Sequence, residues 1–338
     1  MRRELRGKDA AGPDVWRLPA DWVEVFSPVL FEPWSAQARE EALERRRAQG
    51  KKDPTVLDDL PVFASARGGR KPQQRYAVIA AAGVLPTATG RTTRLRLLRA
   101  FPDRGKAAYG LVLQELGYVP DIVVSDGAPG IKGAFTALVA ADPSVNCLQV
   151  LSSFHIRRML WRQMAKLTTA KPTFALGDLA DQLDRFQLLA SPAAWDAWWD
   201  TLRRRTVAQR VPKKAWPAKW ERDYKPVIDE QLRALRPCPW VPASTGAIEG
   251  LLTEYAQPML ARRPQGFGNL ERTNRLLDLA VLRANGQMSA AAVADRLRTD
   301  APQHGGYASP VRRILDPGAY RSLLDKDLMG DLTLGTGD

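Results

Sequence analysis

The stretch DIVVSDGAPGIKGAFTAL, residues 121–138, decides the fold class. DIVVSDG (121–127) reads as a short buried strand with an acid at its C-terminal end. Asp126-Gly127 breaks the run, and Ile131, Phe135, Leu138 and Val139 then recur at helical spacing. A strand that hands over directly to an amphipathic helix is half of a strand–helix–strand unit.

The same handover recurs on both sides. Upstream, RGKAAYGLVLQEL (104–116) places Ala108, Leu111, Val112 and Leu116 in one stripe and closes at Gly117. Downstream, SVNCLQVL (144–151) reads as a strand and HIRRMLWRQMAKL (155–167) as a basic amphipathic helix. Three strand-like runs come first: TVLDDLPVFA (55–64), YAVIAAAGV (76–84) and TRLRLLRAF (93–101). The last alternates basic and apolar residues, which predicts an edge strand with one solvated face. The order predicts an α/β fold with a mixed sheet, antiparallel at its start and parallel afterwards.

Beyond this core, residues 1–53 form a partly helical N-terminal segment with Trp16, Trp22 and Trp34. It carries a solvated surface helix over Ser35–Arg47 with Ser35 as N-cap. The first part of the core spans 54–164, and residues 165–240 follow as a helical, tryptophan-rich insertion. Trp195, Trp198 and Trp199 share one helix face, which predicts a subdomain core rather than a base-stacking platform. The proline-rich linker LRPCPWVPAST (235–245) leads to a helix capped by Ser244 or Thr245 and carrying Glu249. Core helices continue through 241–299, one of them over about Asn269–Ala284, before a loosely ordered tail at 300–338.

Composition narrows the function. The 338 residues carry 50 Lys+Arg against 37 Asp+Glu, a net +13, with a pI near 10.0. That balance suits a polyanionic partner, most often nucleic acid. No apolar run is long enough to span a membrane, and the basic N-terminus has no apolar stretch of a secretory signal behind it. Cys147 and Cys238 are the only cysteines, which excludes a disulfide scaffold and a cysteine zinc finger and fits a reducing cytoplasm.

The chemistry rests on carboxylates. Asp58 and Asp59 interrupt an apolar strand, where a buried acid is costly unless paired or metal-bound. Successive strand residues face opposite ways, so only one of the two serves a given site. Asp126 ends its strand, where α/β sheets place functional groups. Were the two strands parallel neighbours, Asp58 and Asp126 would share one divalent ion, with Glu249 closing the group. Carboxylate and water oxygens suit Mg²⁺ or Mn²⁺. Each acid also has a plainer reading, as a turn former, a helix cap or a partner of its helix dipole.

The runs VVSDGAPGIKGAFTAL, FHIRRML, STGAIEGLLTEYAQPMLARR and GFGNLERTNRLLDLAVLRANG together resemble bacterial insertion-sequence transposases of the mutator-like DDE superfamily. The resemblance covers Pro54–Gln287, about two-thirds of the 338 residues, and is strongest at SDG and at T-x-A-I-E-G. It implies an RNase H-like (retroviral-integrase) five-stranded sheet flanked by helices, with an all-α insertion before the last catalytic helix. It also implies two Mg²⁺ (or Mn²⁺) ions held by two aspartates and a glutamate, which map to Asp58, Asp126 and Glu249. Asp59 is the alternative first ligand. The family's Cys-x-x-His becomes Ser152-Ser153-Phe154-His155, keeping the histidine as a DNA-contact candidate.

The implied activity is Mg-dependent DNA cleavage and strand transfer on transposon ends and target, in the bacterial cytoplasm at the nucleoid. Such proteins act as homodimers or larger assemblies on double-stranded DNA. Arg157, Arg158, Arg262, Arg263, Arg272 and Arg275 are the candidate phosphate contacts. No helix-turn-helix is legible in residues 1–53, so binding through phosphates rather than bases is expected. The competing functions are an inactive DNA-binding relic and an RNase H-like nuclease that does not join strands.

Overall fold

In the computed structural model, which describes residues 27–49, 53–63, 74–88, 90–185, 189, 191–257, 260 and 270–288, one sheet organises the chain. Its strands are β1 (Pro54–Phe63), β2 (Gln74–Thr87), β3 (Gly90–Phe101), β4 (Ile122–Ser125) and β5 (Leu148–Leu151), in the order β3-β2-β1-β4-β5. β1 pairs antiparallel with β2, Asp58 opposite Ala80, and β2 pairs antiparallel with β3. On its other side β1 runs parallel to β4, Val56 opposite Val124, and β4 runs parallel to β5. This is the mixed sheet that the strand and helix order predicts. Val56, Leu57 and Ala77–Ala82 are wholly buried, because β1 and β2 are central and covered on both faces.

In chain order the helices begin with a π-helical turn (Ser27–Phe31) and α1 (Glu32–Gln49). α2 (Lys106–Leu116) and α3 (Pro129–Ala141) flank β4, and α4 (Ser153–Ala170) follows β5. The excursion comprises α5 (Asp178–Asp184), α6 (Pro192–Ala208), a short 3-10 turn (Lys213–Ala215), α7 (Ala218–Asp223) and α8 (Lys225–Leu235). The chain returns as α9 (Gly246–Leu251), a second π-helical turn (Leu252–Ala256) and α10 (Leu270–Ala284).

Two local expectations are corrected. α1 begins at Glu32, not at a Ser35 cap, and it is not a fully solvated helix. Phe31, Trp34, Ala38 and Ala42 form a buried stripe that draws the helix further toward its N-terminus, and Pro33 sits in the first turn, where a missing N–H costs little. Three of the four arginines of β3 are also not left to solvent, Arg91 alone being exposed. Arg96 is buried against Asp53, Arg94 pairs with Glu41 of α1, and Arg99 pairs with Glu115 and with Asp278 of α10. α10 in turn covers the sheet edge: its Asn274 accepts the Ala100 N–H, and Asn285, just past its end, donates to the Leu95 carbonyl of β3. Smaller differences concern Leu111 and Val139, which are exposed while Tyr109 and Leu113 take part in the buried face of α2.

A second core lies in the excursion. Ile156, Leu160, Met164 and Leu167 of α4 pack with Trp195, Trp198 and Trp199 of α6 and with Trp220. The three α6 tryptophans are buried, as their spacing predicts, so none is a surface stacking platform. Trp16, Trp22 and the tail at 300–338 lie outside the described residues. Among the described residues no helix is long and apolar enough to cross a membrane.

Candidate active site

β1 and β4 stay paired only through Val56 and Val124. Two residues beyond that pair stand Asp58, within β1, and Asp126, just past the end of β4, where the two strands part. A cleft at the carboxyl end of parallel strands is where open α/β sheets hold ligands.

Asp58 and Asp59 have separate fates, as strand alternation requires. Asp59 accepts hydrogen bonds from Arg104 Nη1 at 2.9 Å and from Tyr109 Oη at 2.7 Å. Burial, then the charge of Asp59, holds the Tyr109 phenol far above its ordinary range, so it stays a donor. Asp58 has a different environment: its Oδ1 accepts the Asp59 N–H at 2.8 Å. Burial first, and then the negative charges of Glu249, Asp59 and Asp126, push its carboxyl up to about 7 against that hydrogen bond.

Asp126 is fixed by the turn that follows it. Its Oδ1 accepts the Ala128 N–H at 2.8 Å, and the Ser125 hydroxyl accepts the Gly127 N–H at 3.2 Å. Gly127 has φ +72°, and a Cβ there would stand 2.3 Å from Leu151 Cδ2. Only glycine meets both demands. Pro129 then opens α3 at a position suited to it.

Glu249 arrives from the far side of the helical excursion. Ser153 N–H donates to the Ala243 carbonyl at 2.7 Å and Thr245 N–H to the Ser152 hydroxyl at 3.3 Å, so the returning chain is tied to the end of β5. The buried Ser152 thus does structural work. Buried Ile248 anchors α9, and the Thr245 hydroxyl donates to Glu249 Oε1 at 2.8 Å. A π-helical turn begins three residues later, a feature common beside functional sites.

Asp58, Asp126 and Glu249 are therefore brought into one electrostatic neighbourhood. As the side chains stand, no three acids, histidines or cysteines among the described residues converge closely enough to grip one ion. Asp126 and Glu249 are each held by a local hydrogen bond instead. The donor chemistry nonetheless fits a hard divalent cation: oxygen ligands only, and mutual repulsion that a cation would relieve.

The candidate DNA contacts are dispersed. His155, in the first turn of α4 beside the Phe154 ring, has a buried Nδ1 without a hydrogen-bond partner among the described residues. Arg157 reaches the Asp184 carbonyl at 3.2 Å, and Arg158 is exposed. Arg275 pairs with Glu271 on α10 and, with Arg39 and Arg99, lines a 660 Å³ cavity at β3, two strands from β1. Arg272 is exposed on the same helix, and Arg262 and Arg263 lie outside the described residues. Sequence reasoning missed Arg104 and Tyr109, whose partner Asp59 is distant in the chain. It read Thr245 only as a helix-cap candidate, the position it takes, without its bond to Glu249. It also missed Gln231 of α8, whose buried amide bonds both the N–H and the carbonyl of Leu151 in β5.

No protein-family model matches the chain, and no curated protein matches it either.

Proposed function

We propose that the chain is a DDE-type transposase of an insertion sequence, catalysing Mg-dependent cleavage and strand transfer of double-stranded DNA. The observation that carries this reading is that Asp58, beyond the point where parallel β1 and β4 part, feels the negative charges of both Asp126 and Glu249. The strand order, with three antiparallel strands continued by two parallel ones, and the helical excursion before Glu249 support an RNase H-like fold.

In this reading Asp58, Asp126 and Glu249 would hold the Mg²⁺ or Mn²⁺ ions, with Glu249 giving up its bond from the Thr245 hydroxyl. Bound Mg²⁺ or Mn²⁺ would supply activation of the attacking hydroxyl and stabilisation of the leaving oxygen in phosphoryl transfer. Asp59, saturated by Arg104 and Tyr109, positions the strand rather than the reactants. With the three carboxylates serving the ions, the chain needs no separate protein base. Exposed cations such as Arg158 would receive DNA phosphates, and assembly as a dimer or larger complex on DNA belongs to the same reading.

The test is an assay on end-labelled duplex with Mg²⁺ that scores nicking and joining separately. Metal-dependent nicking and joining, both lost in Asp126→Asn with binding retained, is the expected result. Nicking without joining would make the chain a nuclease. Binding that no carboxylate variant alters, with no cleavage in any of them, would make it a relic.

A further inference from the structure

The excursion carries positive charge that the carboxylate site does not use. Residues 201–222 hold eight arginines and lysines against one acid, Glu221, a net +7 in a chain whose total is +13. Glu221 and Asp178 take Arg203 and Arg205, and Arg222 pairs with Asp223 at 2.7 Å. Arg204, Arg210, Lys213 and Lys214 are exposed and form no ion pair with an acid among the described residues. Like charge gathered in this way repels itself, and a polyanion relieves the repulsion.

The backbone adds a second observation. α6 ends in a Schellman turn, with Arg210 N–H on the Val207 carbonyl at 2.9 Å and Val211 N–H on the Thr206 carbonyl at 2.8 Å. Arg210 occupies the left-handed position at φ 52°, alone among the described non-glycine residues in having a positive φ. Glycine sits there without strain and arginine does not. A strained cation at the tip of a basic turn points to a use for its side chain.

The third observation is an open groove of 340 Å³ between α4, α6 and the 3-10 turn. It is lined by Leu167, Val207, Val211 and Trp216 together with Arg203 and Lys213. Val207 is 73 % exposed there. Apolar side chains beside cations match the deoxyribose and the phosphate of a nucleic-acid backbone.

We infer that this ledge is a DNA-backbone contact surface distinct from the carboxylate site. Arg204, Arg210, Lys213 and Lys214 hold phosphates, and the groove takes a deoxyribose edge. The choice of DNA as the polyanion rests on the transposase reading; the surface itself does not involve Asp58, Asp126 or Glu249.

The test uses the full chain in EDTA with a 30-base-pair duplex of arbitrary sequence. Lysine acetylation of the wild type, read by mass spectrometry, is expected to fall severalfold at Lys213 and Lys214 when the duplex is present. In salt titrations, Lys213→Ser/Lys214→Ser is expected to shrink the log–log slope by about two. Arg210→Gly is expected to raise the melting temperature while shrinking the slope by about one, opposite changes that a purely structural arginine does not give. Unchanged slopes and unprotected lysines in a chain that binds the duplex overturn the inference. So does equal protection of the same lysines by polyglutamate, which would make the partner an acidic protein. A chain that cuts DNA with these lysines unprotected loses this inference and keeps the transposase reading, whereas protected lysines without cleavage do the reverse.

Discussion

At Asp58, three negative neighbours surround a carboxyl that burial already discourages from ionising. Its folded pKa of about 7 exceeds the unfolded value near 3.8, so the native state holds its proton more tightly than the unfolded chain does. The resulting stability is fully present below about pH 4 and is lost as pH rises through 7. The shift corresponds to roughly 4 kcal/mol at most, and the side chain's residual solvent contact lowers that figure. Asp58→Asn is therefore expected to melt higher than the wild type at pH 8 in EDTA and level with it at pH 4. Mg²⁺ should raise the wild-type melting temperature at pH 8 and leave the variant unmoved. A variant no more stable than wild type at pH 8 would show that Asp58 carries no such charge burden. Asp59 is expected to behave in the opposite way. Asp59→Ala strips Arg104 and Tyr109 of their acceptor and should cost about 1–3 kcal/mol in urea unfolding, while Asp58→Ala abolishes cleavage without that loss. The two aspartates look alike in VLDD, because only Arg104 and Tyr109, some 45–50 residues on, tell them apart.

Among the elements, strands and helices whose periodicity is local were legible. Ile122–Ser125 and its following helix, the Gly117 stop and the buried face of α6 all follow from spacing alone. What eluded the sequence depends on packing between distant elements. β3 alternates like a solvated edge strand, yet α1 and α10 supply Glu41 and Asp278 to its arginines. The β5 edge is completed by Gln231, a residue with no distinguishing mark in QLRAL. Its amide stands in for a neighbouring strand at Leu151, so Gln231→Ala would leave a buried N–H and a buried carbonyl unpaired. That variant is expected to lose about 2–4 kcal/mol by urea denaturation. A loss below about 0.5 kcal/mol would mean that water replaces the amide freely. Gly127→Ala tests the other side of the site. The left-handed backbone and the Leu151 contact together predict a cost of about 1–3 kcal/mol and a fall in cleavage through displaced Asp126.

Across the whole molecule, the sheet and the excursion have separate apolar cores but share their supports. Leu151 ends β5 yet belongs to the tryptophan cluster, and α4 leaves the sheet only to pack its buried face against α6. Gln231 and Ser152 then bind the excursion back to β5 before the chain reaches Glu249. The chain thus reaches Glu249 through contacts that the excursion and the end of β5 share, which makes the insertion part of the site's scaffold rather than an appendage. One cooperative transition is the consequence. Seven of the ten tryptophans lie between Trp161 and Trp240, so fluorescence reports chiefly on the excursion, while far-ultraviolet circular dichroism sees the entire chain. The two melting curves are expected to coincide in the wild type. Trp198→Ala, which empties a buried indole and its hydrogen bond to the Leu179 carbonyl, should cost about 3–5 kcal/mol and move both curves together. Its cleavage should fall in step with the folded fraction. A fluorescence transition that separates from the dichroism curve, with cleavage surviving between the two, would show that the carboxylates hold their places without the excursion.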